Sequence, residues 1–178
     1  MKLIKNIITI TILILISSRA TAQATTYDTC NSLQQYQGEW RYINGQDTIR
    51  IYLRAHRSIN QHFNYVTDAL WGWHEYKSGN TIIESNYQYR FINLPYDIDT
   101  LSIYLSSIQL GPSRDCNIIK LTGDIWDYHQ NNEFHLVTAT LSNNNTVMTW
   151  KQERREGFGV FTGGPGMTLP KNFVLIKQ

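Results

Sequence analysis

The chain has little cysteine and no long apolar run, and both shortages limit what it can be. Only two of its 178 residues are cysteines, so it does not depend on the dense disulfide framework of very small secreted proteins. Its longest apolar run, residues 7–16, is shorter than the roughly 20 residues that a membrane-spanning helix needs. We therefore expect a fold that rests on its own hydrophobic core and, after removal of an N-terminal leader, makes no stable membrane insertion.

The motifs of common enzyme chemistry are also missing. The sequence has no HExxH zinc motif and no G-x-S-x-G nucleophile motif, and its serines adjoin no obvious base. His129 and His135 lie on either side of the "QNN" turn. Because zinc needs three or four ligands, we interpret these two histidines as an exposed pair rather than a metal site. The five histidines are scattered: His56, His62, His74, His129 and His135. We predict a protein that is not an enzyme and that holds no metal or cofactor.

Two short motifs allow a functional and a structural interpretation. Asp97 and Asp99 share one strand face, where paired carboxylates bind a cation or transfer a proton, but Pro95 places them in a turn. Aspartate is common in turns for backbone reasons. "GGPG" at 163–166 has no helix pattern after it, which a phosphate-binding loop requires. We interpret both motifs as loop chemistry.

The N-terminal residues have the pattern of a secretory leader. Lys2 and Lys5 precede the apolar run, and Ala20-Thr21-Ala22 supplies an A-x-A cleavage site. No cysteine stands at the cleavage point, so a lipid anchor is not expected. We predict a signal peptide over residues 1–22, one domain over residues 23–178, and an exported protein, either periplasmic or extracellular.

Removal of the leader changes the sign of the net charge. The full chain has 16 Lys and Arg against 14 Asp and Glu, but Lys2, Lys5 and Arg19 lie in the leader. The mature chain therefore carries about −1 rather than +2. Nucleic-acid-binding proteins usually present a net basic face. We expect no nucleic-acid partner, and the oligomeric state stays open.

The two cysteines, Cys30 and Cys116, both lie in the exported part. An even pair in an oxidising compartment favours one disulfide, and two separate thiols are the alternative. A bond between them ties the N-terminal segment to the strand that begins near Cys116.

Apolar residues alternate with polar ones along most of the mature chain. In "DTIRIYLRA", Ile49, Ile51 and Leu53 fall on one face, which is the pattern of a strand with one buried side. Only "CNSLQQYQ" fits a helical turn, with Leu33 and Tyr36 facing inward. The turn signals "NGQD", "KSGN", "HQNNE" and "SNNNT" separate eight or nine candidate strands. We predict an all-β fold, a single antiparallel meander that closes into a barrel; a two-sheet sandwich is the alternative.

The aromatic residues, among them five Trp and 11 Tyr, either line a pocket or build the sheet core. Trp71 and Trp73 share a face with Glu75, which makes a poor buried core, so we predict a rim, a pocket or a partner surface there. The candidate ligand-binding residues are Tyr42, Trp71, Trp73 and His74.

The stretch "GEW" carries a resemblance. Gly38-x-Trp40 after a short helical turn resembles the first strand of lipocalins and the related calycin families. The resemblance implies that Trp40 packs across the closed end of the barrel and that a basic residue of a late strand covers its indole ring. Among the residues that follow Trp150, we assign that role to Arg154. The implied barrel base is thus Gly38, Trp40 and Arg154.

The chain also resembles small secreted bacterial proteins of unknown function with a lipocalin-like domain, in "GEWRY", "LWGWHEYKSG" and "TLPKNFVLIK". Lipocalins imply a cavity, so we expect a small apolar or amphipathic ligand in the barrel or at its mouth. The alternative is a filled barrel that binds a protein or glycan through exposed aromatic residues. The presence of an internal cavity distinguishes the two.

Overall fold

The computed structural model describes residues 24–60, 65–97, 106–117, 120–127, 133–154 and 168–178. The predicted signal peptide lies outside these residues. So do His62, Asp99, His129 and the "GGPG" motif.

Alternating sequences form strands over most of the described part, and one five-residue helix lies between the first strand and the second. The elements in chain order are β1 (Ala24–Thr26), α1 (Ser32–Tyr36), β2 (Gly38–Asn44), β3 (Asp47–Asn60), β4 (Tyr65–Ser78), β5 (Thr81–Ser85), a 3₁₀ turn (Tyr87–Tyr89), β6 (Ile108–Gly111), β7 (Lys120–Asp127), β8 (Glu133–Ser142), β9 (Val147–Arg154) and β10 (Asn172–Lys177).

Eight of the strands close into an antiparallel barrel. Each pairs with the next along the chain in the order β2, β3, β4, β6, β7, β8, β9 and β10, and β10 pairs back onto β2. Closure leaves these strands without a free edge, which is the usual solution for a meander of this length. The predicted fold class is confirmed, and the sandwich alternative is wrong.

Strand β4 is paired on both edges over most of its length. One edge follows β3 for 14 residue pairs. The other edge meets β1 in parallel, then β6, then β5, both antiparallel. Gly72 lies where β4 pairs with β6. Only glycine fits there, because a Cβ at this position would stand 2.7 Å from a Leu53 side-chain atom and 2.8 Å from an Ile108 side-chain atom. The sequence predicted the barrel strands but not the attachment of β1 and β5 outside the barrel path.

Three of the predicted turns lie in the described part, and all three are present. Gly45 and Gly79 take left-handed backbone angles in the turns that follow β2 and β4, where a glycine has no steric penalty. Asn143, Asn144 and Asn145 do the same between β8 and β9. Asparagine is the residue that best tolerates this region after glycine.

Helix α1 covers one end of the barrel, which we call the base. Leu33 and Tyr36 are buried there, as the sequence predicts, and the Tyr36 hydroxyl donates to the Ala139 carbonyl at 3.0 Å. Burial raises the pKa of Tyr36 to about 12. The opposite end, which carries the β2–β3 and β4–β5 turns, is the mouth.

A disulfide joins Cys30 and Cys116, with 5.1 Å between their Cα atoms. It connects the segment before α1 to the loop between β6 and β7, at the base. This is the bond that the even cysteine count favours.

Candidate binding site

The base is built around Trp40. Its side chain is fully buried, and its Nε1 donates to the Tyr36 carbonyl at 2.7 Å. Gly38, two residues earlier, has a φ of 110°, which side-chain-bearing residues rarely adopt. The glycine thus allows the chain to leave α1 and enter β2 with Trp40 pointing inward.

A basic residue covers this indole, but it is not Arg154. The Nζ atom of Lys177 lies 5.2 Å from the centroid of the Trp40 ring and donates to the Gln35 carbonyl at 3.0 Å. Arg154 pairs in register with His135 at the far end of β9, towards the mouth, and its side chain is outside the description. The register therefore corrects the assignment from Arg154 to Lys177.

The described interior is filled by side chains. A side chain with no accessible surface borders no space that a water molecule can occupy, and the residues of the buried core cluster have almost none. The largest fully buried side chains are Trp40, Trp73, Trp150, Tyr36, Ile49, Ile51, Leu53, Leu70, Ile108, Leu110, Leu121 and Ile125. All of them except Trp73 belong to the core cluster inside the barrel. A deep cavity for an apolar ligand does not adjoin these residues.

Tyr42, a predicted ligand-binding residue, faces inward near the mouth. Its ring centroid is 5.4 Å from that of Phe173, which in turn stacks on Trp150 at 6.0 Å. Tyr42 and Tyr76 are only partly buried. Gln152 donates to the Leu169 carbonyl at 2.9 Å. This hydrogen bond holds the segment before β10, whose Leu169 side chain is buried in the core.

Trp71 and Trp73, also predicted as ligand-binding residues, are buried outside the barrel. They pack in a second apolar cluster with Tyr52, Ile92 and Leu94. The expectation of an exposed rim or partner surface at these two residues is therefore wrong. Their face of the sheet is covered by residues 86–97, which we call the strap.

Side chains and backbone of β3 hold the strap through its carbonyl groups. Arg54 Nη2 donates to the Ile92 carbonyl at 2.6 Å, and the Ile59 amide donates to the Tyr96 carbonyl at 2.7 Å. Asp97, one of the two predicted carboxylates, ends the strap in a bridge to Ile59. Its predicted partner Asp99 lies outside the described residues.

His74, the remaining predicted ligand-binding residue, belongs to a buried polar network. Its Nδ1 is 2.6 Å from Ser107 Oγ, and its Nε2 is 3.4 Å from Glu84 Oε1. Asn86 Oδ1 accepts hydrogen bonds from the His74 amide at 2.9 Å and from Ser107 Oγ at 3.2 Å. The network joins β4, β5 and the residue before β6.

The same network contains a serine, a histidine and a glutamate, the residue types of a hydrolase triad. His74 and Ser107 are fully buried, however, and a nucleophilic serine must meet its substrate. The arrangement therefore connects strands and presents no nucleophile at a surface. The proximity of Ser107 to His74, 33 positions apart, was invisible in the sequence.

The described histidines do not gather around a metal. Among the residues that the structure describes, no group of three or more His, Cys, Asp or Glu side chains is placed to hold an ion. His135, expected to be exposed, is buried on the inner face of β8. The expectation for this residue is corrected, since its strand alternates with Val137 and Ala139 facing the core.

A groove of about 360 Å³ lies on the outside of the barrel at its base. It separates α1 and the preceding segment from the β3–β4 hairpin, which extends beyond the barrel wall. We call it the basal groove. Its lining residues are Asp28, Asn31, Leu33, Gln34, Ala55, His56, Arg57 and Asp68.

Hydrogen bonds fix both walls of the basal groove. The carboxylate of Asp28 accepts from the Ser32 amide at 2.8 Å and from the Leu33 amide at 2.7 Å, which caps α1. On the other wall, Arg57 donates to both oxygens of Asp68, at 2.7 and 2.9 Å. Asp68 also accepts from the Asp28 amide at 3.1 Å, so the two walls are joined.

The sequence did not single out this groove. A search for helix starts would find Asn31 at the N-cap position, whereas Asp28 lies three residues further from the helix. Arg57 and Asp68 face each other across a hairpin, and their contact becomes visible only once the register of β3 and β4 is known.

Comparison with known proteins identifies a family. The model of a protein family described as a family of unknown function (DUF6705) matches residues 1–178. No curated protein and no solved structure matched. Across the described ranges, no helix has the length and apolarity that a membrane crossing requires.

Proposed function

This chain belongs to the family of unknown function DUF6705, and from that premise we propose that it is an exported, non-enzymatic binding protein whose lipocalin-like barrel is a solid scaffold. Export is supported by the leader pattern of residues 1–22 and by the disulfide. The lipocalin-like character is supported by the closed meander and by Trp40 at its base.

The dense packing of the described part of the interior is the observation that carries the proposal. Small barrels are often filled by side chains, and a filled barrel binds with its outside. The basal groove is the outer site we propose, because it is concave, its walls are fixed by hydrogen bonds, and its volume falls in the range of about 300–1,000 Å³ typical of ligand pockets. Its lining is polar, so the ligand is a small polar molecule.

Ligand screening by NMR tests this function. Polar small molecules should shift the backbone amides of residues 31–34 and 55–57, and a fluorescent fatty acid should show no stoichiometric binding. The variant Ala55→Phe, which fills the groove, should abolish the shifts. Ile43→Phe, on the exposed outer face of β2, is the control and should leave them unchanged. One-to-one fatty-acid binding that quenches the core tryptophans would contradict the solid scaffold.

A second candidate function is supported by the mouth. Tyr42 and Tyr76 keep part of their rings accessible above the buried Phe173. Amphipathic aromatic rings at a barrel mouth suit a small amphipathic ligand, whose apolar part lies on the rings. Binding of such a probe that is lost in Tyr76→Ala and kept in Ala55→Phe would favour the mouth over the groove.

A further inference from the structure

The charged groups of the basal groove are already matched to one another. Arg57 holds Asp68 through two hydrogen bonds, and this geometry uses the planar guanidinium as a fork. Asp28 is occupied by the first amides of α1. An anion entering the groove would meet two carboxylates, and a cation would compete with Arg57. The groove therefore offers no unmatched charge to an ion.

The neutral polar groups are not committed in the same way. Gln34 accepts a hydrogen bond from Gln37 through its oxygen, and its amide nitrogen takes no part in that bond. Asn31 also lines the groove and is exposed. An amide presents both a donor and an acceptor, so these side chains suit a ligand that also has both.

His56, which also lines the groove, is committed to the strap. Its Nε2 lies 3.0 Å from the Pro95 carbonyl, and a carbonyl oxygen only accepts. His56 alternates with Ala55 and Arg57 along β3, so its ring faces the strap rather than the groove.

Apolar surface accompanies these polar groups. Leu33 and Ala55 line the groove. Tyr27 stands beside it with about half of its surface exposed, and the Arg57 guanidinium lies 4.9 Å from the centre of its ring. A small apolar floor with an accessible aromatic ring suits a ligand that has one C–H face.

We infer that the basal groove binds an uncharged saccharide. Sugar hydroxyl groups donate and accept at once, as the amides require, and the C–H face of a pyranose ring packs on apolar and aromatic surface. This inference rests on the proposed function, because it names the ligand class of the same groove.

The test uses neutral oligosaccharides and charged probes in parallel. Short neutral β-linked glucose and N-acetylglucosamine oligomers are titrated into the protein and followed by backbone amide shifts and by calorimetry, beside inorganic phosphate, acetate and ethylamine. At least one neutral oligomer should saturate the shifts of residues 31–34 and 55–57. The three charged probes should leave these amides unchanged.

Two variants remove single amides without disturbing the backbone. Asn31 has a φ of 50°, which glycine adopts freely, so Asn31→Gly deletes only the side chain. Gln34→Ala keeps a residue of high helix propensity. Each should weaken saccharide binding about 3- to 10-fold, the effect of one hydrogen bond. Gln35→Ala, the adjacent helix residue that does not line the groove, is the matched control and should leave the affinity unchanged.

Each outcome decides one of the two claims. Saccharide binding that is weakened by Asn31→Gly and Gln34→Ala supports the inference. A charged probe that binds in the groove while no saccharide does would overturn the inference and keep the proposed function. An absence of groove binding by every probe would overturn both.

Discussion

Trp40 shows at the scale of one residue how a short motif fixes the end of a barrel. Its ring is enclosed, its indole N–H is bonded to the carbonyl of Tyr36, and Lys177 lies over its face. A buried indole needs a partner for its N–H, and the helical turn before β2 supplies it. One side chain thus connects α1, the first barrel strand and the last.

Replacement of Trp40 by alanine should cost about 3–5 kcal/mol, as is usual for a large buried aromatic side chain. A domain of this size has about 5–15 kcal/mol in total, so the variant should be marginal or unfolded. Urea unfolding followed by circular dichroism measures the change. Phe91→Ala, at a surface position of the strap, is the control and should cost far less. Equal midpoints for Trp40→Ala and the parent protein would contradict the role of Trp40 at the base.

Replacement of Trp73 by alanine should also be strongly destabilising, by about 3–5 kcal/mol. From the sequence alone, a surface Trp73 would tolerate truncation, but the structure encloses it between the sheet and the strap. The same urea experiment with Phe91→Ala as reference distinguishes the two. A midpoint close to that of Phe91→Ala would mean that the strap does not cover Trp73 in solution.

The sequence predicted the inner face correctly and the outer face wrongly, for a physical reason. The alternation of Ile49, Ile51 and Leu53 fixes which side of β3 faces the core, because a strand has only two faces. Nothing local tells whether the other face meets water or another segment. Trp71 and Trp73 are covered by Ile92 and Leu94, which carry no periodic signal.

At the scale of elements, the strap and the disulfide are two attachments outside the barrel strands. The strap is bound to β3, and the disulfide binds the segment before α1 to the β6–β7 loop. The strap is held by β3 through backbone carbonyls, so its sequence is only loosely constrained outside the apolar contacts. Carbonyl contacts leave no residue pattern, which is why the sequence did not reveal them. The cysteine pair, by contrast, could be predicted, because only one intrachain partner exists for each sulfur.

Removal of the Arg54 side chain should loosen the strap. Arg54→Leu loses the charged hydrogen bond to the Ile92 carbonyl, a contact that contributes about 1.5–3 kcal/mol when buried and less when partly exposed. Hydrogen exchange at the Ile59 amide, which donates to Tyr96, should become faster. Lys151→Ala on the outer face of β9 is the control, and exchange at Ile59 should not change there. Unaltered exchange in Arg54→Leu would show that the strap does not depend on this contact.

Loss of the disulfide should destabilise the fold by up to about 4–5 kcal/mol, since the bond closes a loop between residues 86 positions apart. The double variant Cys30→Ser, Cys116→Ser should therefore unfold at lower urea concentration than the oxidised protein. Reduction of the parent protein by dithiothreitol should reproduce the shift, and dithiothreitol should have no effect on the double variant. A reductant effect of equal size in the variant would assign the shift to another cause.

At the scale of the whole molecule, the charges of the basal groove make stability depend on pH. The hydrogen bonds from Arg57 lower the pKa of Asp68 below its ordinary value of 3.8, against the opposing effect of burial. A carboxyl group with a lowered pKa in the folded state stabilises the fold above its unfolded pKa. That contribution is lost as the pH falls through the lowered folded value. Arg57 is largely exposed, so solvent screening keeps the contribution small.

The difference in free energy of unfolding between the parent protein and Asp68→Asn should therefore shrink between pH 7 and pH 2–3. Urea midpoints across this range measure it. Glu153→Gln is the comparison, because Glu153 has a lowered pKa beside Lys151 but lies on the exposed face of β9. Parallel pH profiles for the parent protein and Asp68→Asn would show that Arg57 does not hold the carboxylate.

The pairing of β10 with β2 also determines when the barrel can close during synthesis of the chain. Lys177 meets Gln35 across 142 positions of sequence and also covers Trp40, so the ribosome must make β10 before the barrel closes. Contacts this distant form slowly. If the protein is exported as proposed, the chain reaches the secretion machinery before the barrel has closed. An unfolded chain is the form that can cross the membrane through that machinery. The barrel then closes in the oxidising compartment, where Cys30 and Cys116 can form their disulfide.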